Sequence, residues 1–200
     1  MSVMFCYDIE TVDIESTAIV LSAAITWFDL AEVEYEFSPN AQFREYVERA
    51  LFVKFNAREQ AGMGRTVGKK TLDWWEKQSP EAKKMSLSPS KNDVSAMEGI
   101  NQIIQYTRTH GDKDSLIWIR GSLDQLCTES LCNSLKLQKG VGEIIHYNRW
   151  CDVRTFLRVT KETTDRNGYC TIPFFDKNIV NKHDPIHDIA YDTLMMLRGQ

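Results

Sequence analysis

The chain has no excess of positive charge, no long apolar run and no pairing of its cysteines, and each lack excludes a class of protein. Its 24 Lys and Arg are outnumbered by 28 Asp and Glu, for a formal net charge of −4 at pH 7. A protein that coats nucleic acid through bulk charge is therefore excluded. No stretch approaches the roughly 18 apolar residues of a membrane span, and the N-terminus lacks the basic region and apolar segment of a secretory signal. Five cysteines (Cys6, Cys127, Cys132, Cys151 and Cys170) form no CxxC. That argues against a disulfide framework and a zinc knuckle, and for a reducing cytoplasm. The three glycines of segment 57–70 fit no phosphate-binding loop, and no ligand pair has the spacing of a zinc hydrolase.

What remains is an ordinary globular composition, 42% hydrophobic and 26% charged over 200 residues, which suits one domain. The charge is unevenly spread. Segment 44–91 carries eleven Lys or Arg against six Asp or Glu, an excess of five, so the rest of the chain carries −9. A basic loop and helical insertion at about 41–91 beside an acidic body would suit an acidic metal site next to a surface that receives phosphates.

Residues 3–11 (VMFCYDIET) stand out. The β-branched and aromatic side chains predict a buried strand. Alternation along a strand puts Asp8 and Glu10 on one face. Two carboxylates so placed repel unless they share a proton or a cation, and a divalent ion is the usual remedy. The tripeptide recurs as Asp13-Ile14-Glu15, but without an apolar strand before it, and reads as loop.

Further along, 18–28 reads as a second strand and 32–37 as a third, giving an antiparallel meander. A helix is expected over 41–51, and a loop over 57–70 that could touch a phosphate backbone. Thr71 is expected to cap one short helix and Ser79-Pro80 to open another. Trp74 and Trp75 lie about 100° apart on a helix and cannot both face one core, so one of them could be partly exposed and stack on a base, core packing of both being the favoured alternative. An amphipathic helix over 93–109, a strand over 115–119 and a helix beginning near Asp124 follow. A fifth strand is expected at 143–147 and a helix at 151–159. A last helix from Pro185 to Arg198 is capped by Asp184 and carries Asp188 away from its apolar stripe.

Asp8-x-Glu10 on the first strand, Asp124 after a later strand, and His183-x-x-x-x-Asp188 entering the last helix resemble the signature of the DEDDh exonucleases. The flanking blocks TLDWWEKQSPEA (71–82), WIRGSLD (118–124), RWCDVRT (149–155) and HDPIHD (183–188) narrow the likeness to the phage members and the small bacterial 3′→5′ exoribonucleases. It covers nearly the whole chain in order. Leu123 stands where the family pattern suggests Phe, and 141–148 and the loop after Lys161 match poorly.

The resemblance implies an RNase H-like α/β fold, with a mixed five-stranded sheet flanked by helices. It implies hydrolysis of single-stranded nucleic acid to nucleoside 5′-monophosphates, DNA being favoured over RNA, in the cytoplasm (the host's, if phage-encoded). Phosphodiester cleavage needs charge stabilisation at two oxygens, and four carboxylates suit two Mg²⁺ or Mn²⁺ ions. Asp8 would bridge them, with Glu10 and Asp188 completing one ion's shell and Asp124 acting on the other. His183 would be the general base, with His187 its competitor. Arg120 and Arg154 are candidates for phosphate contact. Exoribonuclease activity at the same site is the alternative. An inactive nuclease fold serving as a binding module is opposed by the presence of all four acids and the histidine.

Overall fold

The computed structural model describes residues 3–30, 38–137 and 146–200. Its centre is a mixed five-stranded sheet in the order β3-β2-β1-β4-β5. The strands are β1 (Met4–Thr11), β2 (Val20–Phe28), β3 (Leu51–Lys54), β4 (Ile117–Ile119) and β5 (Trp150–Asp152). β1 pairs antiparallel with β2, and β2 with β3, whereas β4 and β5 continue parallel to β1. With eight helices among the described residues, this is the α/β arrangement expected of an RNase H-like fold.

Alternation along β1 sorts the two sides of the sheet. Phe5, Tyr7 and Ile9 enter a core shared with Ile100, Ile103 and Ile104 of α5 (Ala96–His110) and with Cys127 and Leu131 of α6 (Leu123–Ser134). Met4 and Cys6 face the other core, built with Ile189, Leu194 and Met195 of α8 (Pro185–Arg198). That second core also takes Phe43 and Tyr46 of α1 (Pro39–Arg49) and Val153 and Leu157 of α7 (Val153–Thr160). Asp8 and Glu10 continue the row of Met4 and Cys6, so they emerge beside α8. The β1–β2 register breaks between Glu10 and Thr11, where a bulge re-aims the strand end.

Several elements differ from what the sequence pattern predicts. The candidate third strand at 32–37 lies outside the described residues. The sheet's third strand is Leu51–Lys54, so segment 41–91 supplies an edge of the sheet as well as helices. Residues 143–145 of the expected fifth strand are likewise outside the described residues. β5 follows a 3₁₀ turn at Tyr147–Arg149.

The expected loop at 57–70 is largely built structure. Asn56 caps α2 (Ala57–Gly62) by accepting from the Glu59 N–H, and α3 (Lys69–Trp75) begins before Thr71. Its N-cap is Gly68, whose N–H donates to the Val12 carbonyl at 2.8 Å. Ser79 caps α4 (Pro80–Ala82), which runs into a π-helical turn at Lys83–Leu87.

Two buried polar side chains hold this region. Gln60 accepts from the Val20 N–H at 3.0 Å and donates to the Val20 carbonyl at 2.6 Å, acting as a substitute strand neighbour. Arg65 donates to the carbonyls of Ala18, Ser16 and Cys127. Buried backbone groups without partners are costly. Gln60→Leu keeps the volume but strands both Val20 groups. It should lower stability by about 2–5 kcal/mol in urea denaturation, whereas a loss under about 0.5 kcal/mol would contradict this tethering role.

Candidate active site

The parallel strands β1, β4 and β5 end on the same edge of the sheet, where ligands of open α/β sheets bind. A pocket of about 590 Å³ opens there, lined by Asp8, Glu10, Asp124, His183, Asp188 and Asp192 among others. Each comes from a distinct local device. Asp8 and Glu10 are the last same-face positions of β1 before and at its bulge. β4 runs through Arg120 and Gly121 (φ +100°) into α6, which places Asp124 in its first turn. Asp184 caps α8 by accepting from the Ile186 N–H at 3.1 Å, Pro185 takes the first helical position, and Asp188 falls in the first turn. Two of the acids therefore sit where a helix dipole favours negative charge.

His183 precedes this cap in the left-handed region (φ 63°). Its backbone N–H donates to Asp188 Oδ2 at 3.2 Å. Ligating atoms of Glu10, His183 and Asp188 lie within 4.8 Å of one another. His187 is placed differently. Its Nδ1 accepts from the Asn181 N–H at 3.0 Å, its ring packs edge-on against Phe43, and its Nε2 lies 4.0 Å from Asp184. It lines a separate small cleft beside α1.

The electrostatics are those of crowded acids. Burial pushes Asp8 well above the usual carboxylate range, and the charges of Asp124, Glu10 and Asp188 add to it. Burial does the same to Glu10, with Asp188 and Asp124 contributing. Asp188 is raised to about 7 by burial and by Asp192. Burial raises Asp124 to about 8, although N–H donation from Ile9 pulls the other way. Burial and the neighbouring Lys182 lower His183, which is therefore an unprotonated base at neutral pH.

Asp192, one turn beyond Asp188, is the acid that the sequence reading passed over. The spacing 184, 188, 192 puts three carboxylates along one helix face, and that was the available signal. Asp192 is matched by Arg120, whose Nε lies 3.0 Å from each of its carboxylate oxygens and whose Nη2 lies 2.6 Å from Oδ1. The Arg120 guanidinium also stacks over Tyr169 at 4.4 Å, so it is committed inside the protein. Arg154 donates to the Arg120 carbonyl at 3.1 Å and faces Asp152 at 3.7 Å. Trp75 is fully buried and offers no surface to a base, whereas Trp74 is 38% exposed. Lys177 and Lys182 also line the pocket.

Among protein families, residues 3–196 match the Rv2179c-like 3′-5′ exoribonuclease domain. Among curated proteins, an exodeoxyribonuclease of Enterobacteria phage T4 is 32% identical over 208 aligned residues, which cover 96% of this chain and 86% of that protein. No described helix is long and apolar enough to cross a membrane.

The raised carboxyls make stability pH-dependent. Below about pH 4 they are protonated in both the unfolded and the folded chain and cost the fold nothing. As pH rises from about 4, where the carboxyls of the unfolded chain ionise, toward 7 and 8, where Asp188 and Asp124 ionise in the fold, stability is lost, and above that range the loss levels off. A divalent cation held among these acids would remove that loss by stabilising the charged forms. Protein held in chelator should lose thermal stability between pH 5.5 and 8.5, and Mg²⁺ should raise Tm more at the higher pH. An equal or smaller gain at pH 8.5 would contradict the assignment of the acids to a cation site.

Proposed function

Because the chain belongs to the Rv2179c-like 3′-5′ exoribonuclease family, and so is a 3′-5′ exonuclease, we propose that it removes nucleoside 5′-monophosphates from the 3′ end of single-stranded DNA. The observation that carries this reading is the convergence of Asp8, Glu10, Asp124, His183 and Asp188, from β1, α6 and the entry to α8, on one pocket. DNA is favoured because a relative aligned over almost the whole chain is an exodeoxyribonuclease. The family's description as exoribonuclease supports the second reading, in which the same site acts on RNA.

The acids fit a pair of divalent cations. Four carboxylates with raised pKa values share the pocket, and its guanidinium, that of Arg120, is spent on a fifth carboxylate, Asp192. Hard oxygen donors of this kind suit Mg²⁺ or Mn²⁺. Asp8, Glu10, Asp124 and Asp188 would hold them. When bound, two such ions stabilise the charge that develops on the attacking and leaving oxygens of a phosphodiester.

The chain's own groups account for the rest. His183, unprotonated and beside Glu10 and Asp188, accepts the proton of the attacking water. Its backbone bond to Asp188 keeps the base registered on the acids. Lys177 and Lys182 give the pocket cationic groups suited to substrate phosphates. The Arg120–Asp192 pair occupies the wall of the pocket as a fixed internal contact.

Asp8→Asn and Asp188→Asn should each abolish hydrolysis while leaving a folded protein, and near-normal turnover in either would defeat the assignment. His183→Ala should lower kcat by roughly 10²–10⁴ with cation affinity little changed, and an unchanged rate would remove His183 as the base. End-labelled single-stranded DNA, duplex DNA and RNA, assayed in parallel with Mg²⁺, Mn²⁺ or chelator, test direction, sugar and cation together. Faster release from RNA than from DNA would reverse the substrate assignment.

A further inference from the structure

Helix α3 joins the two halves of the site. Its N-terminus is fixed by the Gly68 N–H on the Val12 carbonyl, and its C-terminus by the Trp75 indole N–H, which donates to the Thr11 carbonyl at 2.8 Å. Both acceptors lie immediately after Glu10. Trp75 is completely buried and packs with Val12, Ile19, Leu21 and Ala82, so α3 is held rigidly at the end of the strand that carries Asp8 and Glu10. Trp74 then turns the other way. Its ring meets that of Trp75 at 5.2 Å between centroids and 78°, and that of His183 at 4.7 Å and 82°.

His183 needs such a neighbour. Its backbone is tied to Asp188, but among the described residues no hydrogen bond or ion pair is found on its imidazole. The ring is only half-buried, so without a packing partner it could swing between rotamers toward solvent. An edge-to-face contact fixes both the separation and the angle of two rings, and removes that freedom. We propose that Trp74 is a positioning residue that holds the His183 imidazole against Glu10 and Asp188, so that the base is set by α3 and thereby by the end of β1. This rests on His183 being the proton acceptor, and it gives Trp74 a role other than stacking on substrate bases.

The test is a cycle of Trp74→Ala, His183→Ala and the double variant, with Trp74→Phe as the conservative change and melting curves as a check on folding. Misplacement of a general base predicts a roughly ten- to hundredfold fall in kcat for Trp74→Ala, with KM for a single-stranded oligonucleotide within about twofold of wild type. The loss should vanish in the His183→Ala background, and Trp74→Phe should restore most of the rate. If Trp74→Ala unfolds, Trp74→Leu, which keeps apolar bulk but no ring, carries the same expectation. In the NMR spectrum, the His183 ring protons should lose a ring-current shift in Trp74→Leu.

A rise in KM with unchanged kcat would make Trp74 a base-stacking platform and overturn the proposal. An undiminished loss on the His183→Ala background would also overturn it, because the tryptophan would then act through another group. Separately, a His183→Ala enzyme of normal rate would defeat the base assignment itself, whatever Trp74 does.

Discussion

The crowding of desolvated carboxylates at one edge of the sheet is the constraint on which the rest of this structure depends. Burial drives Asp8, Glu10, Asp124 and Asp188 toward protonation, and neighbouring acids add to it: Asp124 and Asp188 act on Asp8 and Glu10, and Asp192 acts on Asp124 and Asp188. A fold spends stability to hold such a group together, because unpaired buried charge is among the most costly things a protein can contain. The arrangement softens that cost where it can. Asp124 and Asp188 stand in first turns of helices, and Asp192 has its own guanidinium. What remains uncompensated is the electrostatic demand that a divalent cation would meet.

The scaffold fixes the acids from opposite directions. Two come from a central strand whose alternation commits them to the α8 face, and the others from helices that start at the same sheet edge. Neither β1 nor α8 can shift without disturbing a core, since Met4 and Cys6 pack with Ile189 and Leu194 behind the site. Segment 44–91, basic in sequence, does more than offer charge. It contributes β3, braces the bulged end of the sheet through Gln60 and Arg65, and carries α3 to the mouth of the pocket.

Much of this was legible in the sequence where a single periodicity governs an element. The alternation of 3–11 specifies β1 and the shared face of Asp8 and Glu10, and Asp184-Pro185 marks the start of α8 at the residue observed. The divergence of Trp74 and Trp75 was legible too, but which one is buried depends on where α3 meets β1, which is a tertiary fact. The structure of 57–70 was hidden because polar side chains hold it: Gln60 and Arg65 satisfy backbone groups, and no hydropathy pattern reports that. β3 escaped notice because four residues directly after a helix are too few to show a period. Asp192 was available at helical spacing from Asp188, but its burial against Arg120 emerges only when β4 and α8 are brought together.

Calorimetric titration with Mn²⁺ near pH 7, repeated in buffers of different ionisation enthalpy, measures directly whether burial and crowding hold the acids protonated. Carboxyls raised to about 7 and about 8 are partly protonated there, so binding must displace protons. The expected result is saturable binding to the His183→Ala protein with release of on the order of one proton per chain, diminishing toward pH 9. Binding without proton release, or no binding at all, would contradict the crowded-acid origin of the site.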